Sequence, residues 1–129
     1  MAAEKIKIVL ADDHEALRAD TRALLDRQPD MMVIGEASNG QVAIEITESL
    51  MPDIVLMDIT MPGMDGLEAT RRIRMSRSPV AVLILSCHDE PGMVEAGRQA
   101  GAAGYLLKST RSRQLLHAIR SVYHGQTLW

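Results

Sequence analysis

The sequence predicts an α/β protein, a five-stranded parallel sheet, doubly wound, made by repeating a strand and a helix five times. Three observations predict it. Five short apolar runs rich in Val, Ile and Leu recur along the 129 residues. Amphipathic stretches of helical length fill the gaps between them. Acidic, hydroxyl and basic residues gather where the apolar runs end. Alternating strands and helices imply a parallel sheet covered on both faces. Short apolar runs without polar alternation are the mark of strands buried on both sides.

The elements follow in order. "IKIVLA" (6–11) is the first strand, and "HEALRADTRALLDRQ" (14–28) the first helix, with Leu17, Leu24 and Leu25 on one side. "MMVIGEA" (31–37) is the second strand and the one expected to be half-exposed. "GQVAIEITESLM" (40–51) is a helix that Ser38-Asn39 can cap. "DIVLMDI" (53–59) is the third strand, and "GLEATRRIRMS" (66–76) a helix after a Gly-rich turn. "VAVLILS" (80–86) is the fourth strand. "EPGMVEAGRQAG" (90–101) is a weaker helix, since it holds Pro91 and two internal glycines. "AGYLLK" (103–108) is the fifth strand, and "SRQLLHAIRSVYHG" (112–125) a strong helix stopped by Gly125.

Composition narrows the function. The chain fits one domain, 1–129 with its core over about 5–125. Aromatics are scarce, with Tyr105, Tyr123, Trp129 and no Phe, so nine Met and the aliphatic residues must fill the interior. A net charge of −3 argues against the domain gripping nucleic acid by itself, because that needs an excess of Lys and Arg facing phosphates. A single cysteine, Cys87, rules out an internal disulfide and fits a reducing, cytoplasmic compartment. It reads as a small buried hydrophobe. No signal peptide is visible, and no apolar run approaches the ~20 residues of a membrane helix.

Parallel strands all point one way, so their C-terminal ends line one edge of the sheet, where ligands bind in doubly wound folds. Asp12-Asp13, Asp58, Ser86 and Lys108 end strands 1, 3, 4 and 5. Each has an ordinary explanation. Asp12 with Glu15 fits a capping box. Asp58 can be a turn residue before Pro62-Gly63, Ser86 a capping serine, and Lys108 a solvated lysine. The joint pattern is harder to explain that way. Three neighbouring carboxylates repel one another unless one holds a proton or a cation sits among them. An oxygen-only set without His or Cys favours a hard cation, Mg²⁺ or Mn²⁺. A carboxylate relieved of that repulsion can attack phosphorus, with a lysine charge and a serine hydroxyl beside the phosphoryl oxygens.

These residues carry a resemblance. "ADDHEALR", "DIVLMDITMPGMDGLEATRRIR", "VLILSCHDE" and "GAAGYLLKS" resemble the receiver domain of bacterial two-component response regulators, over nearly the whole chain. "SCHDE" and "GYLLKS" are most similar to the NarL/LuxR (FixJ) type, whose receivers precede a helix-turn-helix DNA-binding domain. The resemblance implies a flavodoxin-like, CheY-like fold with strand order 2-1-3-4-5. It makes Asp58 the phosphoacceptor and Asp13 a direct Mg²⁺ ligand. Asp12 helps largely through water, and the Thr60 backbone carbonyl is a further ligand. Ser86 and Lys108 contact the phosphoryl group, and Tyr105 is the aromatic switch, against the plainer reading of a half-buried packing tyrosine. It implies a sensor histidine kinase as phosphodonor and a homodimer on phosphorylation, through a face formed by 90–125. DNA is reached only through an output domain, and there is no membrane partner.

The sequence departs from the family pattern in places. Ser109 follows the lysine where Pro is common, which argues against a cis bond there. Ser86 stands where Thr is commoner, and Cys87 where a small residue is usual. Thr60 and His88 flank the path of a hydrolytic water by resemblance, with His88 read as a plain loop histidine. His14, His117 and His124 show no ligand spacing among themselves.

Too few residues follow the fifth helix for a helix-turn-helix module. The chain is expected to be a segment of a transcription regulator, with a stand-alone receiver as the alternative. Two other classes remain open. A phosphohydrolase of the haloacid-dehalogenase type uses similar residues, but with a D-x-D nucleophile motif after the first strand. A phosphorylation-silent receiver would act as an interaction module. A flavin-binding protein fits less well, since no Ser/Thr/Gly-rich phosphate loop follows strand 1.

Overall fold

A computed structural model describes residues 4–76 and 78–129. Of the predicted domain over 1–129, residues 1–3 and Arg77 lie outside that set. The strands are β1 (Ile6–Ala11), β2 (Met31–Ala37), β3 (Ile54–Met57), β4 (Ala81–Ser86) and β5 (Gly104–Leu107). The helices are α1 (Glu15–Asp26), α2 (Gly40–Leu50), α3 (Gly66–Met75), α4 (Pro91–Gln99) and α5 (Ser112–Tyr123). The sheet is parallel throughout, in the order β2-β1-β3-β4-β5, as the resemblance implied.

Every central strand feeds two cores. Val9, Val55, Met57, Val82 and Ile84 face α2, α3 and α4, where Ala43, Ala69 and Ile73 meet them. Ile8, Leu10, Ile54, Leu56 and Leu83 face α1 and α5, against Leu25, Leu115, Ile119 and Val122. Two-sided burial is why these runs carry no polar alternation. The edge strand β2 is only partly buried, as expected.

Local chemistry sets the helix ends. Asn39 accepts the Val42 amide at 2.9 Å and Asp65 accepts the Glu68 amide at 2.9 Å, so α2 and α3 start where a side chain replaces a missing acceptor. Pro91 opens α4 at a position whose N–H would have no helical partner, so it starts that helix where the sequence suggested a break. The helix then ends before Gly101, whose φ of 98° turns the chain into β5. Gly125, at φ 88°, ends α5 as predicted.

The capping box weighed as the ordinary explanation of Asp12 and Glu15 is not formed. α1 starts two residues later than such a box would place it, behind His14, whose side chain makes no cap. The Asp12 carboxylate is engaged elsewhere, which is the physical reason. Cys87 also departs from expectation, since it is exposed just past β4. No cis peptide bond occurs among the described residues. Among those residues no helix is long and apolar enough to cross a membrane.

Candidate functional site

The site lies at the C-terminal edge of the sheet, and hydrogen bonds between backbones bring its residues there. The Asp12 amide donates to Ala37 O at 2.9 Å and the Asp58 amide to Ala11 O at 2.9 Å. The Lys108 amide donates to Ser86 O at 2.8 Å. Each of these bonds continues a parallel ladder one residue past its strand. The side chains of Asp12, Asp58 and Lys108 are thereby carried to one rim.

Asp58 is 3% exposed. Lys108 Nζ donates to its Oδ2 at 3.1 Å and lies 3.0 Å from Asp12 Oδ2. Asp12, Asp13, His14 and Asp58 each offer a ligand atom, all within 4.8 Å of one another. Sequence reasoning placed the three acids and the lysine together, and the structure does so.

The electrostatics follow from burial. Burial pushes the Asp58 carboxyl up. Lys108 pulls it back, Asp12 pushes it up again, and the Thr60 amide lowers it, but the net value stays above the ordinary carboxylate range. Burial works against the Lys108 charge, yet Asp12 and Asp58 outweigh it and hold this ammonium above the usual lysine value. The lysine is therefore charged at neutral pH and offsets part of the acidic charge.

Ser86 is fully buried, and its Oγ accepts the His88 amide at 3.1 Å. No side-chain hydrogen bond among the described residues joins its hydroxyl to Asp58 or Lys108. Tyr105 is half-buried on β5, and its hydroxyl donates to the His88 carbonyl at 2.6 Å. Burial raises its pKa. Thr60 is exposed in the loop after β3, and its hydroxyl meets His88 Nε2 at 3.2 Å. His88 thus touches Ser86, Tyr105 and Thr60 at once, a joint that its reading as a plain loop histidine did not contain.

Two further residues were missed. His14 Nδ1 lies 3.2 Å from Asp12 Oδ1, 3.4 Å from Asp13 Oδ1 and 3.4 Å from Lys108 Nζ. An imidazole therefore stands at the rim beside the three acids. Its position directly after the acid pair was the available signal. Arg18, one turn into α1, donates to the Asp12 carbonyl oxygen at 2.5 Å. A recess of about 20 Å³ behind the acids is lined by Asp12, Arg18, Thr21 and Asp58.

The arrangement can bind a cation between carboxylates and can present one buried carboxylate, Asp58, as a nucleophile beside a fixed ammonium. Comparison with known proteins agrees in sequence and in shape. Residues 8–120 match the response regulator receiver domain family. The chain is 45% identical over 121 residues to the response regulator UvrY of Escherichia coli K12, covering 94% of this chain and 56% of that protein. It is 40% identical over 121 residues to the transcriptional regulatory protein LiaR of Bacillus subtilis, covering 94% and 57%. The chain thus spans little more than half the length of these relatives. The solved signal receiver domain of NarL from Mycobacterium tuberculosis superposes with a TM-score of 0.93 at 36% identity, covering 96% of this chain and 100% of that one. A LuxR-family two-component response regulator from Aurantimonas sp. SI85-9A1 superposes with a TM-score of 0.91 at 35% identity, covering 96% and 89%. Sheet order, acidic rim and sequence agree, and the chain belongs to the response regulator receiver domain family, in its NarL/LuxR branch.

Proposed function

We propose that this receiver takes a phosphoryl group onto Asp58 from the phosphohistidine of a sensor histidine kinase, with Mg²⁺ as cofactor. One observation carries the reading. A carboxylate that is 3% exposed ends a central strand, with a lysine ammonium at 3.1 Å and two further acids beside it. A structural role alone does not account for three acids gathered at one rim.

The donor set fits a divalent cation. Asp13 and Asp58 would hold it directly, Asp12 largely through water, and the Thr60 carbonyl would complete the protein's share. Mn²⁺ suits the same oxygens, and the His14 imidazole at the rim adds tolerance for it. When bound, the cation offsets the negative charge of the acids and of the incoming phosphoryl group.

The chain's own residues do the rest. An Asp58 oxygen attacks phosphorus, the P–N bond to the kinase imidazole breaks, and the imidazole leaves with its electron pair. The product is an acyl phosphate. Lys108 keeps its charge and faces the phosphoryl oxygens, so the step is mostly positioning and charge stabilisation. Ser86 gives up the His88 amide to bond the new oxygens, and Tyr105 turns toward the space it leaves. The face formed by α4, β5 and α5 then changes, and a second copy docks on it. DNA is engaged by an output domain outside this sequence, in the cytoplasm of a bacterium.

The test is labelling by acetyl phosphate. The native chain is expected to gain one phosphoryl group in MgCl₂ and none in EDTA, and Asp58→Asn none in either. Full labelling of Asp58→Asn would refute the acceptor assignment. No labelling of the native chain would favour a phosphorylation-silent interaction module, and steady turnover of a phosphomonoester a phosphohydrolase.

A further inference from the structure

Arg18 stands behind the acidic rim and contributes nothing to its ligand set. Its Nε donates to Glu36 Oε1 at 2.9 Å, and its Nη1 to the Asp12 carbonyl oxygen at 2.5 Å. Glu36 on β2 is also held by Arg22. The Arg18 side chain is 17% exposed and that of Glu36 29%, so the pair is partly shielded from water. Charge-assisted hydrogen bonds from a planar guanidinium are the strong, directional kind.

The bond to Asp12 O acts on a particular peptide, the one joining Asp12 to Asp13. A peptide unit is planar and rigid. Fixing its oxygen fixes the direction in which Asp13 leaves, and with it the carboxylate that Asp13 presents. The flanking positions are pinned separately, by Asp12 N to Ala37 O at 2.9 Å and His14 N to Asp12 Oδ1 at 2.9 Å. Glu36 anchors the guanidinium to the edge strand, so the acid turn is braced from β2 through α1.

We infer that Arg18 is a positioning residue for Asp12 and Asp13, with Glu36 as its anchor, and that the two set the affinity of the acidic rim for its divalent cation. This rests on the Mg²⁺-dependent reading above. A small cation that demands near-ideal geometry is sensitive to the aim of its carboxylates. Groups that orient ligands commonly change metal affinity by about tenfold or more when removed.

The experiment uses the whole chain and two readouts. MgCl₂ is added while the backbone amide shifts of Asp13 and His14 are followed by NMR, with no phosphodonor present. Initial labelling rates by acetyl phosphate are then measured across MgCl₂ concentrations. Arg18→Ala is expected to raise half-saturation about tenfold in both, with the saturating rate held within about twofold. Glu36→Gln should shift it in the same direction and add little to Arg18→Ala. Arg18→Lys, which can reach one acceptor but not bridge two, should fall between. A purely structural role would lower the melting midpoint and the saturating rate and leave half-saturation where it was, and that result overturns the inference. If Arg18→Ala does not fold, Arg18→Lys and Glu36→Gln decide by the same criterion. The NMR readout needs no phosphoryl transfer, so failure of the acceptor reading and failure of this one are separable.

Discussion

At the residue scale, the cost of keeping Asp58 ionised inside the protein is the sharpest feature. Burial raises its pKa first, and the lysine and amide bonds recover only part of the shift. An acid with a raised folded pKa holds its proton more tightly folded than unfolded. Its contribution to stability is therefore largest below the unfolded value of about 3.9 and is lost as pH rises through the folded value. Asn cannot titrate, and Lys108 has a second acidic partner in Asp12, at 3.0 Å in the native chain. Asp58→Asn is thus expected to be more stable than the native protein at pH 7 without divalent ions. The advantage should shrink toward pH 4. Urea melts at several pH values check this, and an advantage that grew on acidification would mean that the ion pair with Lys108 outweighs burial. The acids and Lys108 were legible in the sequence because each directly follows an apolar run, and parallel strands must deliver such residues to one edge. His14, Arg18 and His88 were not. Their roles depend on where a loop or helix turns after the strand, and neither periodicity nor motif spacing carries that direction.

At the element scale, α3 is seated on the site through a residue with no side chain. The Gly66 amide donates to Ile59 O at 2.8 Å. A Cβ on Gly66 would lie 1.9 Å from the carbonyl oxygen of Asp58 and 2.9 Å from Ile59 Cα. Both are backbone atoms and cannot swing aside. Gly66→Ala should push the start of α3 off the sheet or tilt the Asp58 peptide, costing about 1–3 kcal/mol as other overpacked sites do. A displaced Asp58 should also slow acetyl phosphate labelling far more than the stability loss explains, since the variant remains largely folded. Thermal melts and labelling rates on the same preparation separate the two effects. Normal labelling in a destabilised variant would show that α3 yields and the site does not. The sequence read Gly66 only as the start of a helix after a turn. The close approach to Asp58 that requires it is a tertiary fact. The same holds for the ends of α1, where the acid spacing suggested a capping box but Asp12 bonds His14 and Lys108 instead.

At the scale of the whole molecule, the question is whether two cores on opposite faces of one sheet behave as one unit. Neighbouring residues of β4 supply both: Leu83 packs toward α1 and α5, and Ile84 toward α2, α3 and α4. A strand cannot lose its packing on one face and keep a rigid pleat for the other, so the two should melt together. The chain's end joins them as well. Trp129 Nε1 donates to the carbonyl of Ala102, which belongs to one core, while Leu128 packs against the other. Trp129 is the chain's single tryptophan, so its fluorescence reports that junction alone. Leu83→Ala should cost about 3 kcal/mol and Ile84→Val about 1 kcal/mol, from lost burial and the space left behind. In both variants urea melts followed by Trp129 fluorescence and by far-ultraviolet circular dichroism should coincide at a lowered midpoint. If fluorescence moved ahead of the helical signal in Leu83→Ala alone, the face bearing α1 and α5 would be unfolding by itself, and the sheet would be joining two units rather than making one.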